Sequence, residues 1–273
     1  PANPVRNIRV LRPGFDAATP HNAYHPDFLR RWQGMGSVRF MDWMATNNSK
    51  QTAWKDRPRV NHARFTERGA PAEVMIDLAN RLESAPWFCM PHLADDDYVQ
   101  QFASLVKEKL SPNLKVYLEF SNEVWNDQFE QARFAMTASR AAGISRPAWV
   151  ALRSLHIFSI WERVFGGSQR LIRVLPSQAA NAGLSQEMVK HQDAYKRADV
   201  LAIAPYLSLN VQPGGKGINA AEVERWSVER LMDHLESQAL PECVGWMKQQ
   251  KAVADKYKLS LVAYEGGQHL VER

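Results

Sequence analysis

The chain has 273 residues, 45% hydrophobic and 23% charged, the balance of a globular protein, which excludes disordered, collagen-like and coiled-coil classes. No apolar run reaches the roughly 18 residues that cross a bilayer, so no membrane partner is expected. The formal net charge is +5, but the longest Lys/Arg run is the pair Arg30-Arg31; nucleic-acid binders concentrate such charge on one stripe, so no nucleic-acid partner is expected.

Seven apolar, β-branched or aromatic runs read as strands: 8–11, 38–43, 87–92, 116–120, 171–175, 200–206 and 261–264. Most are nearly continuous in apolar character, as strands covered on both faces are. Helical spacing fills the intervals. A short helix is expected at 25–33, and one at 71–82 carries Val74, Leu78 and Leu82 on one face. At 95–110 the residues Tyr98, Phe102, Leu105, Val106 and Leu110 follow the helical period behind Asp95-Asp96-Asp97. That acidic triplet suits a helix N-terminus, where backbone dipoles favour negative charge. Further helices are expected at 128–142, 147–165, 186–197, 221–238 and 245–257.

Repeated strand-helix units mean parallel strands with right-handed crossovers. An open doubly wound sheet normally follows its first strand with a glycine-rich phosphate turn. Here Arg12-Pro13-Gly14-Phe15 follows instead. A (β/α)8 TIM-type barrel is therefore expected, spanning 1–273 as a single catalytic domain with seven strands visible. The QPGGKG loop at 212–217 reads as a crossover rather than a linker. Two cysteines, Cys89 and Cys243, make no disulfide framework. Cys89 sits in an apolar run and reads as a buried thiol.

Chemistry gathers at strand ends. The fourth run passes from Val116 through Phe120 into Ser121-Asn122-Glu123-Val124-Trp125-Asn126, and the seventh into Tyr264-Glu265-Gly266-Gly267. Polar residues at the C-terminal ends of barrel strands face the mouth where active sites lie. Two glutamates facing across such a mouth are the minimum equipment for glycoside hydrolysis. Nine tryptophans are more than a core of this size needs. Trp43, Trp125 and Trp54 are expected as stacking platforms for pyranose rings, whereas Trp87, Trp161 and Trp246 read as core. Glu119, inside the fourth run, reads as a paired structural carboxylate.

Asn-Glu closing strand four with a second Glu closing strand seven resembles clan A of the retaining glycoside hydrolases, which includes the family 5 cellulases and mannanases. The resemblance follows strand order over nearly the whole chain and rests on few residues. It implies Glu123 as acid/base, Glu265 as nucleophile and Asn122 as the partner of the sugar 2-hydroxyl. It implies Arg39 on strand two as support for the nucleophile, His92 at the end of strand three, and Tyr206 at the end of strand six, bonded to the nucleophile. His269 could line the cleft. There are departures from the family pattern. Val124 stands where many family 5 members have Pro, and eight residues past Glu265 leave no room for the strand-eight Trp that floors the sugar site.

The resulting expectation is an endo-acting β-glycanase on glucan or mannan, monomeric and without a cofactor. Its setting would be extracellular or periplasmic, with a segment upstream of Pro1 removed. Two rivals stand beside it: an inactive carbohydrate-binding barrel and a metal-dependent barrel hydrolase. For the second, His21, His25, His92, Asp95, Asp97 and His269 are the available ligands. His21 and His25 have ligand-like spacing, but Pro26 follows at once and no His-Glu-x-x-His pattern occurs, so no metal is expected.

Overall fold

A computed structural model describes residues 13, 24–209 and 218–270. The first strand candidate (8–11), His21 and the loop at 212–217 lie outside the described residues. Elements follow in the order α1 (Pro26–Trp32), β1 (Ser37–Arg39), α2 (Ala72–Leu82), β2 (Ala85–Met90), α3 (Asp96–Lys109), β3 (Val116–Phe120), α4 (Glu130–Ala141) and α5 (Arg146–Phe165). Then come β4 (Leu171–Pro176), α6 (Ala182–Lys190), β5 (Val200–Ile203), β6 (Tyr206–Leu207), α7 (Ala220–Val223), α8 (Val228–His234), α9 (Leu240–Lys256), β7 (Ser260–Ala263) and β8 (Gly267–Gln268).

Six strands form one parallel sheet in the order β1-β2-β3-β4-β5-β7. The sequential order and helical crossovers are those the alternating pattern predicts. The sheet is curled. Laid flat, β1 and β7 would stand about 24 Å apart at the usual strand spacing. Instead Arg39, the last residue of β1, reaches Glu265, just past β7, with Nη1 2.7 Å from Oε1. The result is a curled half-barrel of six strands, and no described strand joins β7 back to β1. Each of the six expected strands that falls within the described residues is found in this sheet; the seventh, 8–11, lies outside them. The run at 200–206 also divides, because Pro205 offers no N–H to a ladder. Its tail becomes β6, which pairs with β8 in a separate parallel ribbon, Tyr206 opposite Gly267.

Side-chain alternation sets the two faces of the sheet. Arg39 is in register with Trp87, and Cys89 with Glu119, so these four share the concave face. Phe40, Phe88, Leu118 and Phe120 point the other way and are almost fully buried. Phe88 meets Phe102 of α3 edge-on at 5.0 Å, and Phe40 stacks on Phe88 at 5.7 Å. Arg173 of β4 lies in register with Leu118, so it too is on the helix-covered face.

Helix ends follow local chemistry. Asp95 caps α3 by accepting from the Tyr98 N–H at 2.7 Å. Ser145 caps α5, which stops at Gly166 in the left-handed region. The helix expected at 186–197 starts earlier, behind the Asn181 cap, and ends at Lys190; Gln192 and Asp193 then adopt positive φ. The expected helix at 221–238 is broken into α7, α8 and a π-turn at Leu235–Ala239. No described helix is long and apolar enough to cross a membrane.

Candidate active site

Arg39 organises the site. Its Nε and Nη2 each donate to one oxygen of Glu119 at 3.0 Å. Nη1 donates to Glu265 Oε1 at 2.7 Å, and Nη2 also to Asn122 Oδ1 at 2.8 Å. The guanidinium lies 4.8 Å from the Tyr264 ring centre and 5.7 Å from that of Trp87. Burial opposes its charge, but the neighbouring anions outweigh burial and raise its affinity for the proton.

Glu119 is fully buried. Besides Arg39 it accepts from Trp87 Nε1 at 2.7 Å and from Cys89 Sγ at 3.3 Å. Burial raises its pKa overall, although Arg39, Cys89 and Trp87 pull against that. Every group around it is a donor, the pattern of a carboxylate rather than an acid. The sequence reading of a paired carboxylate agrees with this.

Glu265 receives a second donor, the Tyr206 hydroxyl, 2.8 Å from Oε2. The β6–β8 pairing is what makes this contact: it carries Tyr206 alongside the turn that follows β7. That turn needs Gly267, whose φ of +124° side chains rarely tolerate. Burial and the charge of Glu265 both raise the Tyr206 pKa, so the phenol stays a donor.

Glu123 occupies the other side. It is half-buried, and Asn126 Nδ2 donates to its Oε2 at 2.9 Å. Burial raises its pKa, the Asn126 bond opposes that, and the charge of Glu265 raises it further. The charge of Glu265 therefore reaches Glu123 across the site. The turn is tight: Ser121 has φ +57° and Glu123 φ +41°, values uncommon outside glycine.

An amide network that the sequence did not reveal supports Asn122. Its Nδ2 donates to Asn47 Oδ1 at 3.0 Å. Gln131 Nε2 donates to the same oxygen at 2.7 Å and to the Asn122 carbonyl at 2.9 Å. Gln131 Oε1 in turn accepts from the Asn48 N–H at 3.0 Å. Asn122, only 2% exposed, is thus fixed at both ends of its amide. The one available signal was the Asn47-Asn48 pair in the loop after β1.

The remaining expected residues are more dispersed. Trp125 is half-buried, with its indole beside the Tyr264 hydroxyl. It borders a shallow recess with Arg146, Pro176 and Met188. His269 is exposed, its ring 5.4 Å from that of Tyr206. His92 is buried against Phe134 of α4 at 5.4 Å, and burial lowers its pKa. Trp43 packs on Phe28 and Phe40, at 6.2 and 5.7 Å. Trp54 stands edge-on to Tyr98 at 5.5 Å, with Arg57 4.1 Å over its face. Trp43 and Trp54 are thus engaged in packing and are not drawn into the Arg39 network. Among the described residues no three His, Cys, Asp or Glu side chains are grouped as a metal site. Asp95, Asp97 and His25 have other settings: Asp95 caps α3, Asp97 accepts from Gln101 at 3.3 Å, and His25 caps α1.

Arg39 thus binds two carboxyls, Glu119 and Glu265, and its charge reaches a third, Glu123. Glu119 is buried beneath it, Glu265 is held by two donors, and burial raises the pKa of Glu123. Such a set can attack an electrophilic carbon with one carboxylate and transfer a proton with another. No protein-family model, curated protein or solved structure matches the chain.

Proposed function

We propose that the protein is a retaining glycoside hydrolase acting on a β-linked polysaccharide of the glucan or mannan type, on a (β/α)8-type barrel of which the six-stranded sheet is part. The observation that carries the reading is the opposite treatment of two strand-end carboxyls. Glu265 accepts from Arg39 and from Tyr206, at 2.7 and 2.8 Å, the donor set that aims an attacking carboxyl. Glu123 is pushed by burial and by Glu265 toward the protonated form.

The chemistry follows from that difference. Glu265 attacks the anomeric carbon while Glu123 gives its proton to the departing glycosidic oxygen. The product is a glycosyl ester on Glu265 and a free alcohol. Esterification removes the Glu265 charge, so Glu123 ionises more readily and takes a proton from water. The resulting hydroxide equivalent attacks the anomeric carbon, and Glu265 leaves as carboxylate. Net retention results from two inversions. Asn122 faces the sugar 2-hydroxyl, and Trp125 supplies an apolar face for a pyranose ring. No cofactor enters these steps. A polysaccharide substrate goes with an extracellular or periplasmic setting and with a protein working as a monomer.

Turnover of a panel of β-glucans and β-mannans, with the anomer of the product identified, tests the reading. Glu265→Ala is expected to abolish hydrolysis and to regain part of it in azide, with formation of a glycosyl azide. An unchanged rate in Glu265→Ala would refute the assignment. Binding without turnover by the wild type would point to the inactive carbohydrate-binding alternative.

A further inference from the structure

Double displacement uses two carboxyls and leaves Glu119 without a part. Yet Glu119 is a buried ion in the middle of an apolar strand. A buried ion pair is generally no more stable than well-packed apolar residues in its place. Its charge therefore asks for a reason beyond folding.

We propose that Glu119 is the positioning residue of this site: it grips one edge of the Arg39 guanidinium, so that Nη1 is left aimed at Glu265 and Nη2 at Asn122. This rests on the reading of Glu123 and Glu265 as the reacting pair. The grip is firm. Both oxygens of Glu119 are used, each at 3.0 Å, and Trp87 Nε1 and Cys89 Sγ hold Oε2 from the neighbouring strand. Trp87 cannot swing away, because its ring lies parallel to Tyr117 at 4.8 Å. Arg39 is confined further by the Tyr264 and Trp87 rings beside it. Four of its five N–H directions are committed in this way.

The grip has an electrostatic effect as well. The groups acting on Glu123 are Glu265 beyond β7, Arg39 on β1, Glu119 on its own strand and the Asn126 amide. Glu119 adds negative charge and occupies an arginine that would otherwise favour the Glu123 anion. Both effects help Glu123 retain its proton.

The test is Glu119→Gln, which keeps the size and removes the charge. The carboxyl of Glu123 is followed by 13C NMR in selectively labelled protein across a pH series. Its midpoint is expected to fall by about one pH unit, the order of a single nearby charge at intermediate dielectric. The alkaline limb of the rate profile should move down with it, with kcat lowered and KM little changed. Trp87→Phe provides a milder second variant. It removes one donor from Glu119, keeps a ring against Tyr117, and should move the Glu123 midpoint the same way by less. A midpoint that stays at the wild-type value in Glu119→Gln or, should that variant not fold, in Trp87→Phe overturns the proposal. The NMR measurement needs no substrate. Absence of hydrolysis by the wild type would sink the enzymatic reading, while the NMR result would still decide the electrostatic role of Glu119.

Discussion

The same sheet carries a second arginine fork, on its opposite face. Arg173 of β4 donates through Nε and Nη2 to the two oxygens of Asp199, at 2.9 and 3.0 Å, and through Nη1 to Glu162 of α5 at 2.8 Å. The pattern repeats that of Arg39 with Glu119 and Glu265 atom for atom. The surroundings differ. Arg197 adds a second guanidinium to Glu162, so two cations meet two carboxylates and the cluster is neutral. Asp199 is 37% exposed, and solvent screens it. Around Arg39, one cation binds Glu119 and Glu265 while Glu123 lies within reach of its charge, and the carboxyls outnumber it. A balanced fork ties helix to sheet, whereas an unbalanced one raises the proton affinity of a neighbouring carboxyl. The charge inventory, rather than the fork, separates a brace from a candidate site.

The contrast can be broken most forcefully at its centre. Arg39→Ala leaves Glu119 buried without its counter-ion and is expected to cost about 3–5 kcal/mol in chemical denaturation, together with activity. Tyr206→Phe removes one of the hydrogen bonds that hold Glu265, and kcat should drop about 10- to 100-fold with the fold intact. Steady-state kinetics and circular dichroism on the same preparation check both halves of that statement. Arg173→Ala acts on the second fork alone. Glu162 keeps Arg197 and Asp199 can turn to water, so the loss is about 1–2 kcal/mol, with hydrolysis unaffected. Loss of activity in Arg173→Ala would erase the distinction between the two forks.

Smaller effects concern pH. The rate should decline as Glu123 loses its proton. That limb lies above the ordinary glutamate value of about 4.3, because the Glu123 pKa is raised. Stability carries the same signature. A carboxyl with a raised folded-state pKa contributes stability that is complete below its unfolded pKa and is lost as pH climbs through the folded value. Glu123→Gln should therefore flatten that decline in melting temperature between weakly acidic and neutral pH. The smallest change is expected at Asp96. Burial would raise its pKa, but bonds from His156 and Arg153 lower it overall. Its contribution is present above the unfolded pKa and fades as pH falls through the folded one, and Asp96→Asn should remove a fraction of a kcal/mol at most.

Much of this was legible in the residues, for identifiable reasons. The run 116–120 matched β3 to the residue, because a strand covered on both faces reads as a nearly continuous apolar run. Glu119 stood out within that run as the lone charge. Arg39, Asn122, Glu265 and Tyr206 converge because strand ends in a curled sheet converge, whatever the separation in sequence. The run at 38–43 overshot: the chain leaves β1 after Arg39 and turns through Met41–Ala45, with Ala45 at φ +46°. Apolar residues there pack under the loop instead of in the ladder, which is also the fate of Trp43. The β6–β8 ribbon, two residues on each side, is too short for any period to register. Asn47 and Gln131 escaped because amide networks leave no spacing rule behind; each partner lies on a different element.

The torsion at Glu123 sets two demands against each other at one position. A left-handed backbone prefers glycine by roughly 1 kcal/mol, while proton transfer requires an acid. Glu123→Gly is therefore expected to give a protein that melts no lower than its parent and does nothing to a glycosidic bond. In this reading, the backbone strain at that turn is what keeping an acid there costs the fold.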